Sequence, residues 1–228
     1  MRKHAIALAL CAAVATAGIA RSETPPEKAE GPGGKLADAT KVYRELITAR
    51  DKAIPRELLE NAKCVAVLPG VIKAAIGFGG RHGSGVISCR TESGWSAPAF
   101  VTISGGSWGV QLGAQSSDIV LFFMNDRGAR SLVDGSRVTL GGQASVAAGP
   151  FGRSAEASTN LDFKAEIYSY AKSKGLFAGL SLEGAELKPD KDDNRDYYGS
   201  DVTTTQLLFG GGPANVPAEA QTFRQALP

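Results

Sequence analysis

Two periods of apolar residues divide this chain. Leu36, Ala39, Val42, Tyr43, Leu46 and Ile47 recur at the spacing of an amphipathic helix. Asp51 to Ile54 breaks that pattern, and Pro55 suits the first turn of a short second helix carrying Leu58, Leu59 and Ala62. From Lys63 onward the period shortens. Residues 64–68, 85–89, 95–104, 108–114 and 118–124 read as strands, with Pro69-Gly70 expected to end the first. A short helix is predicted over 125–133, capped by Asn125 or Asp126. Further strands are predicted at 137–140, 144–148, 155–159, 165–171 and 176–182, separated by glycine and proline turns. Strands at this density after two helices predict an α+β fold. Its N-terminal amphipathic helices precede a largely antiparallel, strongly curved or barrel-like sheet with one short inserted helix.

The ends differ in character. Arg2, Lys3 and His4 precede an apolar stretch over residues 5–17, followed by small residues at export-cleavage spacing. Residues 1–20 therefore read as a secretory signal peptide, with a membrane anchor and a lipoprotein linkage through Cys11 as the alternatives. Residues 21–35 are rich in Pro, Glu and Gly and read as a disordered leader; residues 212–228 read as a flexible tail.

Composition narrows the chemistry. The chain has 228 residues, 43% hydrophobic and 21% charged, which suits a globular domain. Its 28 glycines follow no G-X-Y period and point to tight turns and close backbone approaches. Loss of Arg2 and Lys3 with the leader leaves 23 basic against 23 acidic side chains. A near-neutral mature chain gives no general attraction to nucleic acid. The whole chain has two histidines, His4 and His82, which excludes multi-histidine metal sites. No residue pattern calls for a cofactor or a metal. Cys64 and Cys89 sit in strand-like runs; a disulfide and two buried thiols are both open.

Three motifs are candidates for chemistry. Gly105-Gly106-Ser107-Trp108-Gly109 matches the G-x-S-x-G nucleophile elbow, but a strand-like run succeeds it and no histidine comes after it. A glycine turn between strands is the preferred reading, with a hydrolase using Ser107 and His82 as the third-ranked function. The glycines from Gly77 to Gly85 lack both phosphate-loop patterns and read as a bulged hairpin, whose Arg81 and His82 are placed to touch an anionic headgroup. Asp190, Asp192, Asn194, Asp196 and Asp201 have calcium-loop spacing, but Arg195 stands where the loop needs Gly; a solvated acidic turn is preferred.

Collinear stretches of the chain resemble the SYLF domain family. They are Ala62-Lys63-Cys64-Val65-Ala66-Val67-Leu68-Pro69, Gly77-Phe78-Gly79-Gly80, Gly94-Trp95-Ser96-Ala97-Pro98-Ala99-Phe100 and Gly105-Gly106-Ser107-Trp108-Gly109. Ala148-Gly149-Pro150, Ile167-Tyr168-Ser169-Tyr170, Ser173-Lys174-Gly175-Leu176-Phe177-Ala178-Gly179 and Tyr197-Tyr198-Gly199 continue the match, which covers residues 36–211. The resemblance implies a non-enzymatic module that binds lipid, described in fungi as actin-binding. Exported bacterial members belong to the cell envelope. It therefore implies a periplasmic protein peripheral to the inner or outer membrane, with a phospholipid or other amphiphile as partner. Actin is not expected as a partner in the producing cell, and a protein partner stays unassigned. The alternative is a periplasmic structural or protein-interaction scaffold without a lipid role. Lys41, Arg44, Arg81 and Lys174 are the expected headgroup contacts. Leu46, Ile47 and Phe78 are the expected acyl or interfacial contacts.

Overall fold

The structure is a computed structural model that describes residues 31–49, 54–76, 78–108, 113–134, 137–150, 164–173, 176–199 and 202–228. The expected signal peptide, the strand at 155–159 and Lys174 lie outside the described residues.

Helix α1 (Gly31–Thr48) and α2 (Arg56–Asn61) lead into the hairpin of β1 (Cys64–Ile76) and β2 (Phe78–Thr91). Then come β3 (Gly94–Trp95), β4 (Ala99–Trp108), β5 (Gly113–Phe123) and α3 (Asp126–Asp134). Short strands β6 (Val138–Thr139) and β7 (Val146–Ala148) precede β8 (Ile167–Ser173), β9 (Leu176–Gly179) and β10 (Glu186–Pro189). Helices α4 (Lys191–Tyr198), α5 (Thr204–Phe209) and α6 (Ala218–Ala226) close the described chain. The strands form one strongly curved half-barrel in the order β6-β10-β4-β2-β1-β5-β8-β7, with β3 on β2 and β9 on β8. Every pairing is antiparallel except β7 with β8. The α+β, curved-sheet expectation is met.

Alternation along each strand sorts side chains onto two faces. Cys64, Ala66, Leu68, Ile87, Val101, Ile103, Ile119, Leu121 and Phe123 pack in one cluster with Leu187 of β10 and Ile167 of β8. Residues from both ends of the sheet meet there, so it is the concave face; α3 and α5 cover it with Leu132, Leu207 and Leu208. The other face, with Val65, Val67, Phe100, Val120 and Phe122, packs against α1, α2 and α6. The helical stripe of α1 is the seal: Leu36, Ala39, Tyr43 and Leu46 are all within 1% of full burial. Each large member contributes about 1.5–3 kcal/mol by leaving water.

Several expectations are corrected. β1 does not end at Pro69-Gly70 but runs on to Ile76, with a bulge between Leu68 and Val71. Gly70 has φ of 58°, and its N–H donates to Asp118 Oδ1 at 2.9 Å, so the bulge takes both residues that a straight strand refuses. Gly85 lies against it: a Cβ there would meet the Val67 carbonyl oxygen at 2.0 Å. Residues 31–35, expected within a disordered leader, begin α1, where Lys35 pairs with Asp193 of α4. The C-terminal segment expected as a loose tail contains α6, with Phe223 fully buried. The Trp95 indole N–H donates to the Pro228 carbonyl at 2.6 Å, and Arg224 Nε donates to the Trp95 carbonyl at 2.6 Å. The acidic run is helix α4, whose N-cap Asp190 accepts from the Asp193 N–H. Strand β10 and helices α4, α5 and α6 are additions to the expected elements.

Candidate functional site

The bulge in β1 sets the geometry of the strand beyond it. It shifts the register so that Val71 and Lys73 continue on the concave face, with Lys73 directly opposite Arg81 of β2 and Gln115 of β5. Ser117 and Ile119 of β5 and Ala171 of β8 lie on the same face, and Gln115 Nε2 donates to Ser173 Oγ at 2.8 Å. These residues line a cleft of about 330 Å³ with Leu176 and Leu180 at its side.

The electrostatics of this cleft are one-sided. Lys73 and Arg81 line it, and no Asp or Glu is among its described lining residues. Arg81 Nη1 is buried with no hydrogen-bond partner among the described residues. Burial alone pulls its pKa below the ordinary guanidinium value. Like charges directly opposite in a ladder destabilise it by up to about 1 kcal/mol. An unsatisfied buried donor costs about 1–3 kcal/mol more. An apolar cleft with two cations and no acid among its described lining residues is suited to an anion that carries an apolar body.

The other expected site residues land elsewhere. Lys41 and Arg44 are exposed on α1, in a shallow groove of about 430 Å³ between α1 and α6. Glu45 and Glu219 line the same groove, so its charges balance. Ile47 is 43% exposed on α1. Leu46 is 1% exposed and is a core residue, which corrects the expectation of interfacial contact: its side of the helix is the one turned to the sheet. Phe78 begins β2, opposite Ile76 and Trp108. Of the expected set, Arg81 is the member that the described cleft contains. Lys73 is an addition to that set; its one signal in the sequence is a lone charge within Val71-Ile72-Lys73-Ala74-Ala75-Ile76.

Cys64 and Cys89 are directly opposite in register and form a disulfide, with Cα atoms 3.9 Å apart. This bond lies at the far end of β1, roughly 30 Å from Lys73 at the rise of an extended strand. A larger cleft of about 660 Å³ at that end holds Arg90, Arg130 and Arg224 together with Glu92 and Asp126. Its guanidinium groups are already engaged. Arg90 donates to the Ala62 and Leu59 carbonyls and stacks on Trp95, Arg224 holds the Trp95 carbonyl, and Arg130 stacks on Phe209. That cleft is cross-linked structure rather than a vacant anion site.

The hydrolase reading loses its geometry. Ser107 lies within β4, paired with Gly79, and not on a strand-to-helix turn. His82 is opposite Ser104, three residues along the strand from Ser107, or about 10 Å.

Comparison with known proteins agrees with the motif reading. Residues 104–228 match the family model described as Ysc84, Las17-binding protein actin regulator. The human SH3 domain-containing YSC84-like protein 1 is 40% identical over 195 residues, covering 83% of this chain and 56% of that protein. The chain belongs to the SYLF (Ysc84) family. Protein YSC84 of Saccharomyces cerevisiae is 38% identical over 197 residues, covering 83% of this chain and 42% of its own. LAS seventeen-binding protein 3 of the same species is 40% identical over 163 residues, covering 70% and 35%. The SYLF chain described here thus spans about half the length, or less, of these relatives. The SYLF family is described by what its members bind, not by a reaction.

Proposed function

We propose that this SYLF domain is a non-enzymatic binding module for an anionic amphiphile, a phospholipid or other lipid of the cell envelope. The observation that carries the reading is the concave cleft: Lys73 and Arg81 opposite each other, no acid among the described lining residues, and an apolar wall of Val71, Ile119 and Leu176. The charged end of the ligand sits on the two cations and neutralises them. Its apolar end lies along the wall. The leader-like N-terminus supports export, and with it a periplasmic location peripheral to a membrane.

The test is co-sedimentation with vesicles of neutral phosphatidylcholine and of phosphatidylcholine mixed with an anionic phosphatidylglycerol. The protein is expected to bind the anionic vesicles, and Arg81→Ala and Lys73→Ala are each expected to weaken binding about tenfold. Loss with Lys41→Glu/Arg44→Glu but not with Arg81→Ala would move the site to α1. No binding to either vesicle would overturn the lipid reading.

A second reading, a protein-binding scaffold, draws on the family description and on the name of the yeast relative, both of which refer to Las17 binding. A partner retained equally by wild type and Arg81→Ala, with no vesicle binding, would favour it.

A further inference from the structure

The concave cleft is graded along its length. Arg81 of β2, Lys73 of β1 and Gln115 of β5 stand side by side in the register, and Gln115 holds Ser173 of β8 by a hydrogen bond. These four form a polar row at one end. Going away from that row along the strands, Val71 is opposite Ser117, and Ile119 is opposite Ala171. Val71 at 3% and Ile119 at 2% exposure close the floor there, and Leu180 stands at the side. From Gln115 to Ile119 is a run of strand of roughly 13 Å. The cleft volume of about 330 Å³ is at the small end of the range for ligand sites, about 300–1,000 Å³. That is room for one acyl or alkyl chain beyond a small head, and not for the two chains of a bilayer lipid.

Charge and donors set the head. Lys73 and Arg81 make no ion pair among the described residues, and no Asp or Glu is among the described lining residues. The polar row therefore carries two positive charges on adjacent strands. A carboxylate, a sulfate ester or a phosphodiester brings a single negative charge and leaves one of the two cations unmatched. A phosphate monoester brings a charge of about −1.5 to −2 at neutral pH and three strong acceptor oxygens. The donors suit it. Arg81 Nη1 is buried without a partner among the described residues, and Lys73 offers its ammonium. Ser173 Oγ accepts from Gln115 and so keeps its own O–H to donate. Hydrogen bonds from guanidinium and ammonium groups to phosphate are charge-assisted and stronger than those between neutral groups.

We propose that the concave cleft selects a single-chain amphiphile with a phosphate monoester head. The dianion sits on Lys73, Arg81 and Ser173, and the chain lies along Val71, Ile119 and Leu180. The proposal rests on the lipid-binding reading and names the ligand class of the same cleft. Inorganic phosphate shares the head and lacks the chain. A two-chain phosphodiester in a vesicle meets the cations with one charge and leaves its chains in the bilayer.

Calorimetric titration of the full chain tests it, with every amphiphile below micelle formation and at about pH 8, above the second phosphate pKa of about 6. Decyl phosphate is expected to bind about tenfold or more tightly than decyl sulfate, which has the same shape and less charge, and than its monoanionic diester, methyl decyl phosphate. Inorganic phosphate is expected to bind about a hundredfold or more weakly than decyl phosphate, because it buries no chain. Arg81→Met is expected to bring decyl phosphate to within about twofold of decyl sulfate, while Arg195→Met on α4 leaves both unchanged. Equal affinity for decyl phosphate and decyl sulfate, or a preference that survives in Arg81→Met, would overturn the dianion seat. Inorganic phosphate bound as tightly as decyl phosphate would overturn the chain site. In either case binding to phosphatidylglycerol vesicles leaves the lipid reading standing. Absence of binding to the amphiphiles and to the vesicles would overturn both.

Discussion

Asn194 treats the peptide of Phe100 as a neighbouring strand would. Its Oδ1 accepts from the Phe100 N–H at 2.9 Å, and its Nδ2 donates to the Phe100 carbonyl at 3.2 Å. Nδ2 also donates to the Asp190 carbonyl at 2.7 Å, and the residue is 2% exposed. One buried carboxamide thus docks α4 on β4. Around it, Phe100 packs edge-on to Tyr197, and the Tyr198 hydroxyl donates to the Pro98 carbonyl at 2.7 Å. Asn194→Ala leaves the buried Phe100 N–H unpaired and is expected to cost about 2–3 kcal/mol. Thermal unfolding by circular dichroism is expected to show a Tm lowered by roughly 5–10 °C. Asn194→Asp replaces the donor with a carboxylate facing two carbonyls and is expected to cost more.

Arg81 is held in the sheet at a cost to stability. Its buried Nη1 has no partner among the described residues, and Lys73 stands opposite. Arg81→Met keeps the aliphatic packing and removes both penalties. It is expected to raise stability by about 1 kcal/mol in urea titration, while anionic vesicle binding falls. A loss of stability would show that the guanidinium is satisfied within the fold.

The Cys64–Cys89 disulfide joins residues 25 apart in sequence that the β1–β2 register already places opposite each other. Cys64→Ser/Cys89→Ser is expected to lose about 3 kcal/mol. Both sulfurs belong to fully buried residues, so dithiothreitol is expected to leave the native protein oxidised until it unfolds. Vesicle binding by the double variant below its Tm is expected to match the wild type, because the cleft is at the other end of β1.

Alkaline pH is expected to unfold the domain. Burial pushes the Tyr43, Tyr170 and Tyr198 hydroxyls well above the ordinary tyrosine value of 10.0. Burial, then the Glu219 charge and hydrogen bond, pushes Tyr197 up to about 12. A group that holds its proton more tightly when folded lends stability that is complete below its unfolded pKa and is lost as pH rises above it. Stability is therefore expected to be flat with respect to these tyrosines up to about pH 9 and to fall above about pH 10. The slope is up to about 1.4 kcal/mol per pH unit for each buried tyrosine. Tyrosinate absorbance in the near ultraviolet, measured beside circular dichroism, is expected to rise with unfolding rather than ahead of it.

The legible parts of the fold are those with local signals. The three-to-four spacing from Leu36 to Ile47 reads directly as α1, and alternation around Val65, Val86 and Val120 reads as β1, β2 and β5. Asn125 reads as a cap for α3, and its Oδ1 accepts from the Arg127 N–H at 3.0 Å. Glu186-Leu187-Lys188-Pro189 is not legible as β10, because four residues with two charges and a proline carry no period; its partners β4 and β6 make it a strand. Helix α5 does carry a local mark: Thr203 and Gln206 form a capping box, visible as Thr-x-x-Gln before Leu207 and Leu208. Helix α6 comes after a glycine- and proline-rich segment and is packed against α1 through contacts far apart in sequence.

By itself the sequence determined the family, through glycines, aromatics and strand motifs in collinear order, and it determined most of the elements. It also placed Arg81 among the candidate headgroup contacts, beside Lys41, Arg44 and Lys174. The tertiary structure decided which charges converge. Lys73 and Arg81 face one another because the bulge at Pro69-Gly70 shifts β1 by one residue, and a one-residue shift turns every later side chain to the opposite face. The same long-range pairing decided that the apolar stripe of α1 is core. Helical spacing shows that one side of a helix is apolar; what covers that side depends on strands far along the chain.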